Sequence, residues 1–227
     1  MKGLKFSLLI LLAALPMTAA GQDLNEMIRR EAASSVTTAE EMYRDLHQNP
    51  ELSLMEFKTA AKMAEALRNL GFEVTTGVGG NGVVGLFRNG KGPVIMLRTD
   101  MDALPVREAT GLPFSSKVTM VTAQSQETPV MHACGHDLHM TVWHGTLKTL
   151  TSLSNSWKGT IVAVAQPAEE VSGGSEQMIA DGLFIRFPRP DYAVCYHVSP
   201  DLPAGTVGYY PGAIFAGVNS ADIKVLG

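Results

Sequence analysis

The chain has 227 residues, 45% of them apolar, and a formal net charge of −4. That length and apolar share support a sizeable buried core. The balance is mildly acidic and no basic stripe interleaves with aromatics, which argues against nucleic acid as a partner.

Residues 1–21 have the build of an export signal. Lys2 and Lys5 give a positive start, Phe6 to Leu15 an apolar run of about ten residues, and PMTAAGQ a small-residue cleavage region. The run is shorter than the ~20 residues that span a membrane, and no cysteine follows it to carry a lipid anchor. The expectation is an exported protein, periplasmic or secreted, whose mature chain starts near Gly21 or Gln22 and has no membrane partner once the signal is removed. Export permits a disulfide between Cys134 and Cys195, but the two need not pair.

From Leu24 to His47 the apolar positions keep helical spacing, and NPEL ends the helix because the residue before a proline resists helical geometry. A second helix is predicted over roughly Glu56 to Leu70, stopped by Gly71. The β-rich runs FEVTT, GVVGLF and PVIMLR follow. The glycines of GVGGNG lack a following Lys-Ser or Lys-Thr and lead into a strand, so they read as a hairpin connection and not as a phosphate loop. A third helix is expected from about Asp137 to Leu153, then the strand GTIVAVA, the helix GSEQMIADGL with its stop, and the strand DYAVCYH, alternating like a buried strand. Strands alternating with helices imply an α/β layer fold, with helices on both faces of a largely parallel sheet. Active residues in such folds gather at the carboxyl ends of strands. Three chemically dense stretches obey that rule: RTDMDALP, QPAEE and His197.

MHACGHDLHM puts Cys134 and His136 two positions apart, so an extended loop can aim both at one ion; zinc accepts thiolate and imidazole together. The competing reading is a buried cysteine beside surface histidines. Glu169 and Glu170 adjoin at the end of an apolar strand. Neighbours in extended chain point opposite ways, so one can bind metal while the other faces substrate. Asp100 and Asp102 share one side of their segment, where a carboxylate can orient a ligand histidine through its second nitrogen. Arg98 and Arg107 could equally neutralise that pair. His197 ends its strand, while His132, His139 and His144 need no role.

Together these motifs resemble the dinuclear-metal amidohydrolases that include hippurate hydrolase, plant auxin-conjugate hydrolases and N-acyl-diaminopimelate deacetylase, relatives of aminoacylase and carboxypeptidase G. The resemblance rests on RDLHQNPELSLMEFKTA, RTDMDALPVRE, MHACGHDLHM, QPAEE and CYHVSPDLPAGTVGY, in that order. It implies a three-layer, zinc-peptidase-like catalytic domain holding two divalent metals, zinc or else manganese, cobalt or nickel. The implied ligands are Cys134, His136, Glu170 and His197; Glu169 is the implied proton-transfer residue, with Asp100 or Asp102 supporting the site. The implied reaction is hydrolysis of the amide bond of an N-acyl amino acid by a metal-activated water. The alternatives are dipeptidase or carboxypeptidase cleavage at the same centre, or an inactive metal-binding fragment.

The resemblance also implies that residues 22–216 form the N-terminal part of the catalytic domain and that 217–227 begin a lid and dimerisation domain. The rest of that lid and one more ligand histidine would follow in a longer enzyme, expected to be a homodimer or larger. The 227 residues alone are therefore expected to catalyse poorly.

Overall fold

The computed structural model describes residues 23–212 together with residues 223 and 225. The export segment expected over 1–21 lies outside the described residues. So does the lid strand expected over 217–227, apart from Ile223 and Val225.

Two long helices open the chain, α1 (Leu24–Gln48) and α2 (Phe57–Asn69). The strands β1 (Glu73–Val78), β2 (Gly82–Asn89) and β3 (Val94–Asp100) follow, then a small hairpin of β4 (Thr119–Val121) and β5 (Glu127–Pro129). Next come α3 (His136–Ser152), β6 (Gly159–Gln166), the short helices α4 (Gly174–Ala180) and α5 (Leu183–Arg186), and β7 (Tyr192–Cys195). The three expected long helices stand within a residue or two of their predicted limits. The β4–β5 hairpin and α5 were not anticipated.

The main sheet runs β1-β2-β6-β3-β7. Its β6-β3-β7 half is parallel, as expected, while β1 and β2 pair antiparallel with each other and β2 antiparallel with β6. The parallel expectation therefore holds for only half of the sheet. GVGGNG supplies the reason: a tight hairpin can join only antiparallel strands, whereas parallel neighbours need a crossover.

Helices cover both faces. Along β6 the side chains alternate with the two-residue period of a strand. Ile161, Ala163 and Ala165 join Leu46, Met63, Leu67, Met140 and Leu147 under α1, α2 and α3. Val162 and Val164 join Met178, Leu183 and Phe187 under α4 and α5. The Trp143 indole donates to the Leu97 carbonyl at 2.9 Å, fastening α3 along β3.

One strand departs from expectation. DYAVCYH was read as buried and as ending at His197, but the β3 ladder stops at Arg98↔Cys195 and all four residues of β7 are exposed. Among the described residues β7 is the edge of the sheet, with a neighbour on one side only. No helix among the described residues is long and apolar enough to cross a membrane.

Candidate metal centre

The parallel register pairs Asp100 with Gln166, which sets the ends of β3 and β6 side by side. Asp100 and Asp102 leave one end, Glu169 and Glu170 the other, and the start of α3 closes the space between them. Gly135 caps that helix at φ 78°, a left-handed geometry that favours glycine, and a Cβ there would lie 2.7 Å from Val198 Cγ2. This glycine lets the chain turn between Cys134 and His136. Gly174 does similar service below the glutamates, where a Cβ would collide with the Pro167 carbonyl at 1.6 Å.

His136 lies at the centre, with 0% of its surface exposed. Its Nε2 is 3.6 Å from Glu170 Oε1, 3.8 Å from Glu169 Oε2 and 3.8 Å from Asp100 Oδ2. On the other side of the ring, Nδ1 sits 3.4 Å from Asp102 Oδ1, a long contact that leaves both atoms without a well-formed hydrogen bond. Ligand-type atoms of Cys134, His136 and His197 lie within 4.8 Å of one another, as do those of His136, Glu169 and Glu170. All the predicted site residues therefore gather in one place, although His197 belongs to the exposed chain after β7. Cys134 and Cys195 are both free thiols, so the disulfide is not formed.

The two aspartates are held differently. Asp100 is engaged on both oxygens, by Arg98 Nη1 at 3.0 Å and by His139 Nδ1 at 2.7 Å. Burial opposes its ionisation, but the His139 hydrogen bond and the His136 and Arg98 charges outweigh it and hold the carboxyl at about 2. Asp102 Oδ2 accepts from the Ser53 hydroxyl at 2.6 Å and from the Glu170 amide at 2.9 Å, leaving Oδ1 facing His136. The expectation that Arg98 neutralises an aspartate holds for Asp100 alone.

His139, given no role from the sequence, is buried. Its Nε2 accepts from the Val198 amide at 3.0 Å, so the proton resides on Nδ1 and is donated to Asp100. With both nitrogens occupied, His139 tethers Asp100 and is not free to bind an ion, even though its ring lies within reach of one. Its three-residue spacing from His136 on one helix face was the signal available in the sequence.

The electrostatics suit a cation. Burial, and then the Glu170, Glu169 and Asp100 carboxylates, push the Cys134 thiol up to about 12. Burial and the nearby Asp100 and Glu170 also raise Glu169, against the opposing His136 and Arg98 charges. Burial alone would lower His136, but Asp102, Asp100 and Glu170 outweigh it and raise the imidazole. Among the described residues, both His136 nitrogens, Asp102 Oδ1 and Glu170 Oε1 are buried with no hydrogen-bond partner. Each such group costs about 1–3 kcal/mol when left unmet. A divalent ion held by thiolate, imidazole and carboxylate would meet His136 Nε2 and Glu170 Oε1, and the donor set is one that zinc accepts. The residues fit a metal. A groove of about 780 Å³ between α1 and α3 has almost wholly apolar walls and carries none of these groups.

The chain is similar to curated hydrolases and deacetylases and to a solved metal-binding peptidase. It is 40% identical over 190 residues to N-acetyldiaminopimelate deacetylase of Lactobacillus acidophilus, covering 81% of this chain and 46% of that one. It is 39% identical over 192 residues to hippurate hydrolase of Campylobacter jejuni, covering 83% and 46%. Among solved structures, a Bacillus subtilis protein described as a dinuclear metal binding peptidase from the M20 family superposes with a TM-score of 0.66 at 35% identity, covering 75% of this chain and 45% of that one. The chain spans about half the length of the curated relatives it matches. The family model for peptidase family M20/M25/M40 matches residues 96–225, which include both strand ends, the start of α3 and the segment after β7, and the chain belongs to that family.

Proposed function

We propose that the chain carries most of a dinuclear metal centre that hydrolyses the amide bond of an N-acyl amino acid. The observation that carries this reading is the set of unpartnered buried ligand atoms around His136, between two strand ends rich in carboxylates. Hippurate and N-acetyldiaminopimelate, named for two relatives, are both N-acyl amino acids.

In this reading Cys134, His136, Glu170 and His197 are ligands. Two divalent cations, zinc or else manganese, cobalt or nickel, would supply carbonyl polarisation and a lowered pKa for the attacking water. Asp102 orients His136 through Nδ1, and Asp100, steadied by Arg98 and His139, keeps negative charge beneath the cluster. Glu169 is the more exposed of the two glutamates, at 38% against 17% for Glu170. Among the described residues its carboxylate has no hydrogen-bond partner to break, so it accepts a proton from water as the C–O bond forms and delivers it to the amine as the C–N bond breaks. Peptidase-type cleavage at the same centre is the second reading, favoured by the description of the Bacillus subtilis structure.

On sequence grounds we also assign residues 1–21 to an export signal, giving a periplasmic or secreted protein, and 217–227 to the first strand of a lid domain in a dimeric enzyme.

Glu169→Gln separates base from ligand. In the longer enzyme that carries this chain, metal content should match wild type, while turnover of hippurate or an N-acetyl amino acid falls about 10²–10⁴-fold. Near-wild-type turnover contradicts the base assignment, and lost metal would make Glu169 a ligand instead.

A further inference from the structure

The stretch Glu51–Glu56 joins α1 to α2 and forms no long helix or strand, yet it reaches both strand ends of the centre. The Glu51 carbonyl accepts the Ala103 amide at 2.8 Å, and the Ser53 hydroxyl donates to Asp102 at 2.6 Å. Glu56 is fully buried, at 0% exposure. Its Oε1 accepts the Leu54 amide at 2.9 Å and the Ala168 amide at 2.7 Å, and its Oε2 accepts Asn81 Nδ2 at 3.1 Å.

The Ala168 contact matters because of where it falls. Ala168 adopts φ 51°, a left-handed conformation that a non-glycine residue holds only when its surroundings impose it. Its amide directly precedes Glu169, and the amide of Glu170 is held by Asp102. A buried carboxylate therefore grips the backbone on each side of Glu169. Asn81, from the β1–β2 turn, also donates to the Leu54 carbonyl at 3.1 Å, closing the ring of donors around Glu56.

We propose that Glu56 is a positioning residue: through the Ala168 amide it fixes the strained turn that aims Glu169 and Glu170 into the centre. The proposal rests on the roles given to those two glutamates above. Reach matters here more than charge. A glutamine keeps Oε1 in place for the Leu54 and Ala168 amides, and Asn81 can turn its side-chain amide to suit the new neighbour. Alanine leaves both amides without their acceptor, and aspartate is one methylene too short to hold them.

The test compares Glu56→Ala, Glu56→Gln and the core variant Leu147→Ala with wild type, all zinc-supplied. It uses hydrogen exchange across residues 166–173 and zinc affinity by chelator competition. In Glu56→Ala, exchange at 168–170 should quicken about 10–100-fold, as expected for losing a hydrogen bond to a charged group. Zinc should bind about 10–100-fold more weakly, the usual effect of removing an outer support. Glu56→Gln should resemble wild type in both. Leu147→Ala should lose stability but keep its zinc affinity and turn protection. If Glu56→Ala does not fold, Glu56→Asp carries the same expectations. Unchanged exchange at 168–170 in either folded variant overturns the proposal. Faster exchange with unchanged zinc affinity upholds Glu56 as the brace of the turn and contradicts Glu170 as a ligand. Failure of wild type to bind zinc defeats zinc as the metal, and the exchange data still decide the role of Glu56.

Discussion

The cluster has two ends that are built differently. Where β3 and β6 finish, Asp100, Asp102 and His136 are buried, and the aspartates are tied by Arg98, His139, Ser53 and the Glu170 amide. Past β7, His197 stands exposed, and its Nδ1 donates to the neighbouring Val198 carbonyl at 2.6 Å, leaving Nε2 free for an ion. An unpartnered polar atom costs little in water but about 1–3 kcal/mol when buried. In the proposed centre a cation therefore relieves the buried end far more than the exposed one. Metal binding and folding stability should be coupled more strongly through His136 than through His197.

The sharpest way to break this contrast is to remove each histidine in turn. His136→Ala is expected to abolish tight zinc binding and the thermal stabilisation that zinc gives wild type. His197→Ala should weaken zinc but keep a measurable part of that stabilisation. Equal losses, read from melting curves with and without zinc, would show that the two ends contribute alike.

Asp102→Ala is expected to have a smaller effect, about 10–100-fold in zinc affinity, since Asp102 acts on His136 from behind. Chelator competition measures it directly. An effect no larger than that of a surface aspartate would leave Asp102 as a structural partner of Ser53 and the Glu170 amide alone.

The smallest effect concerns His47, which meets the start of α3 at Asp137. His47 is buried between Asp137, 2.6 Å from Nδ1, and Glu108, 3.1 Å from Nε2. Burial pulls its pKa down, but the two carboxylates outweigh burial and raise it above 6.5. Such a group stabilises the fold fully below its unfolded pKa, and the contribution disappears as pH rises through the higher folded value. Wild type should therefore lose melting temperature above about pH 6.5, and His47→Gln should lose less over the same range. Parallel melting curves would contradict a charged His47.

Much of the proposed centre is legible from residue type and position. Strand ends in α/β sheets collect active groups, and Asp100, Glu169, Glu170 and His197 stand at or just past such ends. Beyond Asp100 and Asp102, most of the supporting shell was not legible, because its contacts join distant parts of the chain. His47 meets Asp137 across 90 residues, and Glu56 meets Ala168 across 112. No local window holds both partners. The exposure of β7 was hidden for a related reason: alternation marks a strand but does not say whether it lies inside the sheet or on its edge. Likewise the antiparallel half followed from the GVGGNG hairpin, a local signal whose consequence for strand order emerges only once β6 is placed between β2 and β3.

Proton release on zinc binding tests the metal reading most directly. The Cys134 thiol, pushed up to about 12, is protonated in the metal-free protein at neutral pH, and only a bound cation makes it a thiolate. Calorimetric zinc titrations in two buffers of different ionisation enthalpy count the protons released, with Cys195→Ser as background to leave a single thiol. The account predicts that binding at neutral pH expels a proton from Cys134, so that Cys134→Ala releases about one fewer than its parent. Identical proton release from the two proteins, at equal zinc stoichiometry, would contradict Cys134 as a ligand and with it the centre proposed around His136.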